Sequence, residues 1–160
     1  MQLEIFTTGG TIDKIYFDAK STFEVGEPQI LEVLREANLS IDYRVVPLLR
    51  KDSLEMTDAD RGIVRQAVEK SAASQIVITH GTDTMIATAK ALADIPAKTI
   101  VLTGAMQPAR FRFTDAVFNI ACAMMAAQTL PAGVYIAMNG RVFNPEAARK
   151  NVEMNRFEEV

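Results

Sequence analysis

Five short β-prone runs recur along this chain with helical patterns between them. That alternation restricts the fold more than any other feature. The runs are residues 3–7, 43–48, 75–79, 99–103 and 134–138. A helix opens at Glu27-Pro28, with proline near its first position, and offers Ile30, Leu31, Val33, Leu34 and Ala37 as an apolar face. Thr57 is a fair N-cap for a helix that buries Ile63, Val64, Ala67 and Val68. Met85, Ile86, Ala89, Leu92 and Ala93 face the core from the next helix, which Pro96 ends. An alanine- and methionine-rich helix over 113–128 looks covered on most sides. Strands alternating with helices build an α/β fold, a doubly wound, mostly parallel sheet in three layers, with right-handed crossovers as the default.

Three stretches stand outside that rhythm. Residues 12–25 lack helical period and carry Tyr16, Phe17 and Phe23, which reads as a hairpin-like flap. Residues 50–56 form a polar loop. Asn139-Gly140 is a strong tight-turn signal, with Arg141-Val142-Phe143 pairing behind it, and residues 145–160 are charged and loosely patterned.

The 160 residues fit one domain, 1–160, long enough to bury roughly 70% of its unfolded surface. A net charge of −3 argues against nucleic acid or an acidic membrane surface as partner. No apolar run reaches the ~20 residues that span a bilayer. The chain enters its first strand without a basic n-region, so no secretion signal is read. The single Cys122 cannot form an internal disulfide, and a reducing cytoplasm is the simplest home. One histidine and one cysteine cannot build a zinc site of the usual kind.

Two bends hold the chemistry. Thr79-His80-Gly81-Thr82-Asp83-Thr84 follows the third strand, and Thr7-Thr8-Gly9-Gly10-Thr11 follows the first. Strand-to-helix bends place polar groups at the carboxyl edge, where open α/β sheets bind ligands, and free N–H groups there favour negative charge. Glycine lets the backbone approach a ligand closely, and a threonine hydroxyl becomes a nucleophile if something removes its proton. Thr11 is therefore a nucleophile, part of a ligand-binding turn, or part of a plain turn. The spacing matches neither the dinucleotide fingerprint nor the Walker pattern. Thr82 and Asp83 have a competing reading as helix caps, as does Asp115. Lys150 reads as a solvated surface lysine, Ser53 as a turn or cap residue, and Tyr16 and Phe23 as packing within the flap. His80 tempts a general-base role but reads better as a structural, hydrogen-bonding histidine. Cys122 reads as core.

Together the motifs resemble the bacterial-type L-asparaginase (asparaginase/glutaminase) family. The matching segments are Thr8-Gly9-Gly10-Thr11-Ile12, Thr79-His80-Gly81-Thr82-Asp83-Thr84-Met85 and Thr103-Gly104-Ala105-Met106, then Asp115 with Phe118-Asn119, Met138-Asn139, and Lys150. The resemblance covers the whole chain in the family's order. It implies a cofactor-free amidohydrolase converting L-asparagine to L-aspartate and ammonia. Thr11 would be the primary nucleophile, and Thr82, Lys150 and Asp83 a hydroxyl–amine–carboxylate triad. Asp83 would also grip the substrate's α-ammonium and Ser53 its α-carboxylate. The N–H of Thr82 would help hold the oxyanion, and Gly10, Gly81 and Ala105 would complete the substrate pocket. Lysine serves as a base only where burial and neighbours lower its pKa.

Three departures qualify the resemblance. The family's tyrosine-bearing segment is Phe23-Glu24-Val25-Gly26 here, so the aligned hydroxyl is gone, and Tyr16 on the same flap is the candidate to supply one. The family's Ser-Gln pair is Ser53-Leu54. The usual chain is longer, with a smaller C-terminal domain that completes the site of a neighbouring copy, so this chain reads as a short form. Self-association into a homodimer or higher homo-oligomer is expected, with Phe17 near the contact. Two rivals stay open: a non-catalytic amino-acid-binding or partner-docking module, and an amidase for glutamine or another small amide.

Overall fold

The structure, a computed structural model, describes residues 2–160. β1 (Gln2–Gly9), β4 (Asp42–Lys51), β5 (Gln75–Thr79), β6 (Thr99–Thr103), β7 (Gly133–Met138) and β8 (Arg141–Phe143) form one sheet in the order β4-β1-β5-β6-β7-β8. Every pairing is parallel except β7 with β8, which are joined by the Asn139-Gly140 turn with both residues at positive φ. β5 and β6 are β-branched and apolar on both faces, so they are stable only when covered on both. Their residues Ile76, Val77, Ile78, Ile100, Val101 and Leu102 have no exposed surface. Alternate side chains feed two cores. Phe6, Ile78, Leu102 and Met138 pack with α2 (Asp58–Lys70) and α3 (Met85–Lys90). Ile5, Val77, Val101 and Ala137 pack with α1 (Ile30–Glu36) and α4 (Ala116–Thr129).

The right-handed default fails at one connection. From β1, α1 leads to β4 on one side. From β4 and β5, α2 and α3 lead the other way across the opposite face, and reversing both direction and face preserves the hand. From β6 the chain continues in the direction of α3, but α4 lies on the face of α1. The β6–α4–β7 crossover therefore has the opposite hand to the other three, against the usual rule. Packing supplies the reason. Were α4 to join α2 and α3, Val77, Val101 and Ala137 would lie bare.

Several element bounds differ from the sequence expectations. α1 begins at Ile30 and leaves Leu31 and Ala37 exposed, and α2 leaves Ile63 exposed. β4 runs into the expected polar loop, because Lys51 pairs with Gly9 and its carbonyl accepts from the Gly10 N–H at 2.9 Å. The Thr57 cap is present as a capping box with Asp60. α3 stops at Lys90, where the next residues turn through i→i−3 bonds and Arg65 Nη1 donates to the Ala91 carbonyl at 2.8 Å. α4 is covered over the larger part of its circumference, and Val117, Phe118 and Met125 are exposed along an outer stripe.

The flap forms as expected, an antiparallel pair of β2 (Lys14–Phe17) and β3 (Thr22–Val25). The loosely patterned tail is also a hairpin, β9 (Ala148–Asn151) with β10 (Arg156–Glu159). Its one buried anchor, Phe157, meets Phe143 at 6.3 Å between ring centroids.

Two buried titratable groups lie beside the carboxyl edge and pull stability in opposite directions. Desolvation raises the Asp13 carboxyl to about 7 from 3.8, against a bond from the Gln29 N–H and the charge of Arg50. Its folded form binds the proton more tightly than the unfolded chain, so stability falls as pH rises from about 4 to 7, by up to about 4 kcal/mol. Desolvation lowers His80 to about 4 from 6.5. Here the unfolded chain binds the proton better, so stability rises over about pH 4 to 6.5, by up to about 3 kcal/mol. Asp13→Asn should be more stable than the parent above pH 7 and should show the rising His80 limb alone. Denaturant unfolding below, within and above that window checks this, and identical pH profiles for the two chains would refute it.

Candidate active site

β1 is where the strand order reverses, with β4 on one side and β5 on the other. Ligands of open α/β sheets bind outside the carboxyl ends of strands at such a switch point. The bends after β1 and β5 flank it, and the two chain segments touch there. Gly9 and Gly10 hold positive φ, and a Cβ on Gly10 would overlap the Cα and N of Gly81. A Cβ on Gly81 would in turn lie 2.5 Å from the Ser53 Cβ. Three segments distant in sequence thus meet at Gly10, Gly81 and Ser53. The Thr84 hydroxyl fastens the third by donating to the Ser53 carbonyl at 2.8 Å.

Around this contact stand the hydroxyls. Thr11 is half-buried, opens a 3₁₀ turn over Thr11–Asp13, and has no side-chain hydrogen bond among the described residues. Thr82 is 5% exposed. The Ser53 hydroxyl is buried with no hydrogen-bond partner, an unmet demand that native interiors rarely leave open. Among the described residues no backbone carbonyl accepts from the N–H groups of Thr82 and Asp83.

Lys150 reaches the second bend from β9. Its Nζ donates to Thr82 Oγ1 at 2.8 Å and to Asp83 Oδ1 at 2.6 Å, and its side chain is only 18% exposed. The surface reading of Lys150 therefore fails. The lysine is delivered by register: Lys150 pairs with Phe157 across the tail hairpin, and the Phe157 N–H donates to Asn139 Oδ1 at 2.9 Å. A buried ring and a turn amide thus hold the strand from which the amine projects.

His80 is structural. Its Nδ1–H donates to the Gly81 carbonyl at 2.7 Å, which leaves Nε2 to accept from the Thr88 hydroxyl at 2.8 Å. Asp115 precedes α4, yet its side chain caps nothing there. It accepts instead from the N–H groups of Met106 and Gln107 and from Asn119 Nδ2, holding the bend after β6. Ala105 lies in that bend with its side chain in the core, 1% exposed. Cys122 packs partly buried against the α1–α4 core.

Tyr16 is not drawn into the threonine cluster. It pairs with Phe23 across the flap, edge to face at 5.4 Å, and Phe23 meets Phe111 at 5.8 Å. Sequence reasoning missed Asp52, which joins Lys14 of β2 at 2.9 Å and so ties the flap to the Ser53 segment. Burial pushes its carboxyl up, but Lys14, the Leu54 N–H and the charge of Lys150 outweigh this and hold it below its ordinary value. Its place beside Ser53 in a polar loop was the available signal.

The geometry agrees with the comparisons. The family model described as "Asparaginase, N-terminal" matches residues 2–158. The chain is 29% identical to the L-asparaginase of Thermococcus kodakarensis, covering 100% of this chain and 51% of that one. It is 30% identical to a glutamyl-tRNA(Gln) amidotransferase component of Methanosarcina barkeri, over 87% of this chain and 34% of the relative. Among solved structures, the thermostable L-asparaginase from Thermococcus kodakarensis superposes with TM-score 0.89 at 27% identity, across 100% of this chain and 51% of that one. L-asparaginase I from Vibrio cholerae gives 0.84 at 26% identity, across 99% and 51%. The chain thus spans between about a third and a half of the length of these relatives. No helix among the described residues is long and apolar enough to cross a membrane. The family model spans nearly the whole chain, so the chain belongs to the asparaginase family, and its matched region is that family's N-terminal domain.

Proposed function

We propose that this domain is an amidohydrolase that converts L-asparagine to L-aspartate and ammonia. One observation carries the reading: a largely buried lysine from a separate hairpin is held against the hydroxyl and carboxylate of the second bend. An amino-acid sensor needs groups that bind and has little use for such an amine.

In this reading Thr11 Oγ attacks the side-chain amide carbon. The C–N bond breaks, ammonia leaves with the proton that Thr11 gives up, and an acyl-enzyme remains. Water then attacks the ester and frees Thr11. Lys150 serves as the base that takes the proton from Thr82 or from that water, and Asp83 holds the amine in place. Asp83 also receives the α-ammonium, and the unpartnered Ser53 hydroxyl receives the α-carboxylate. The free N–H of Thr82 meets the developing oxyanion. Gly10 and Gly81, packed backbone to backbone, bring the two bends close enough for both to line the substrate pocket, and the Ala105 bend closes the far side. Tyr16, across the flap from Phe23, is the flap residue that would offer a phenol, from a different backbone position than the family's. The relatives' names keep a neighbouring reading in view, an amidase for glutamine or another small amide. Self-association completes the proposal, with exposed Phe17 of the flap near the contact.

Ammonia release from a panel of asparagine, glutamine and simple amides tests the reaction and the substrate. Thr11→Ala should abolish turnover, and Lys150→Met should lower kcat by about 10²- to 10⁴-fold. Binding without turnover in the parent chain would leave a binding module in place of the enzyme. Tyr16→Phe should slow hydrolysis by about tenfold, the worth of one hydrogen bond to a charged group, and an unchanged rate removes Tyr16 from the mechanism. Light scattering at micromolar concentration should report at least a dimer, and a monomer would overturn the self-association.

A further inference from the structure

A recess lies beside the first bend. A cavity of about 330 Å³ opens between α1 and the 104–115 connection, beside the first turn of α4. That volume is within the range of small-molecule sites. Val33, Ala109 and Val117 make an apolar wall.

The polar groups are arranged for a particular guest. Arg110 Nε donates to Gln29 Oε1 at 2.8 Å. Gln29 is itself 6% exposed and fixed by its Nε2 donating to the Glu27 carbonyl at 2.7 Å. The guanidinium is therefore held by a neutral amide, and among the described residues no carboxylate pairs with its two terminal nitrogens. An oriented, unpaired guanidinium fork is a receptor for carboxylate. On the α1 wall Glu32 has Arg35 at 3.6 Å, whereas Glu36 has no cationic partner among the described residues. A plain anion entering this cavity would meet two glutamates, and a plain cation would meet Arg110. A head group with one carboxylate and one ammonium satisfies both walls.

The cavity is also bonded to the first bend. The Ala109 N–H donates to the Ile12 carbonyl at 3.0 Å, and the Gln29 N–H donates to Asp13 Oδ1 at 2.8 Å. Two wall residues thus hold the 3₁₀ turn that begins at Thr11.

We propose that this cavity binds the zwitterionic head of a free α-amino acid, at a site separate from the threonine bends, and that its occupancy is transmitted to the Thr11 turn. Arg110 takes the carboxylate, Glu36 takes the ammonium, and Ala109 and Gln29 pass the change to Ile12 and Asp13. The assignment stands whether or not the bends hydrolyse an amide.

Titration of the full chain with glycine, followed by amide NMR shifts, tests it. Saturable shifts are expected at Gln29, Ala109 and Ile12. Arg110→Gln and Glu36→Gln should each weaken that binding by about tenfold, the worth of one charge-assisted bond. Both side chains are on the surface, and circular dichroism checks that the variants fold. Glycine bound at the bends would shift Gly81 and Thr82 instead and would be unaffected by either variant. Absence of saturable shifts at the three amides, unchanged affinity in both variants, or acetate binding as tightly as glycine would each overturn the proposal.

Discussion

The site depends on one close approach: the bare backbones of Gly10 and Gly81 in contact, with Ser53 pressed against the second. No side chain larger than hydrogen fits between them, and the positive φ of Gly10 independently disfavours one. This contact lets two strand ends place their hydroxyls around one point. The cluster of Lys150, Thr82 and Asp83, the clasp from Thr84 to Ser53 and the unbonded N–H groups are all arranged about it.

Much of this was legible in the residues. The runs at 75–79 and 99–103 are apolar on both faces and became strands with those same bounds. The glycine bends announced the carboxyl edge, and Asn139-Gly140 announced its turn. What escaped the sequence depended on neighbours. Leu31 and Ile63 fit a helical period but lie at the margins of their apolar faces, where no second layer covers them. The outer stripe of α4 is as apolar as its inner one, so composition could not say which side was open. The tail hairpin has a single buried anchor, Phe157, among charged residues, and one residue shows no alternation.

The chemistry followed the same division. Thr11, Thr82 and Asp83 were visible as a pattern because bends are local. Lys150 was indistinguishable from a surface lysine by pattern alone, and only the family resemblance singled it out. The structure supplies the physical reason for its position: cross-strand register with Phe157, an amide bond from Asn139, and receiving groups on another strand's bend. Asp52 and Asp115 show the converse. Their positions were visible locally, beside Ser53 and ahead of α4, but their partners were not: one ties the flap to the Ser53 segment and the other holds the bend after β6.

The reversed crossover has a further effect on the shape of the carboxyl edge. On its way to the face of α1, the chain leaving β6 detours past β5 as far as β1, where Ala109 docks on Ile12. A helix wound the ordinary way would have turned back at once and left that rim empty. The detour is a parapet with a hollow on its outer flank. Topology, more than any single side chain, has given this small domain a hollow bonded to the turn after its first strand.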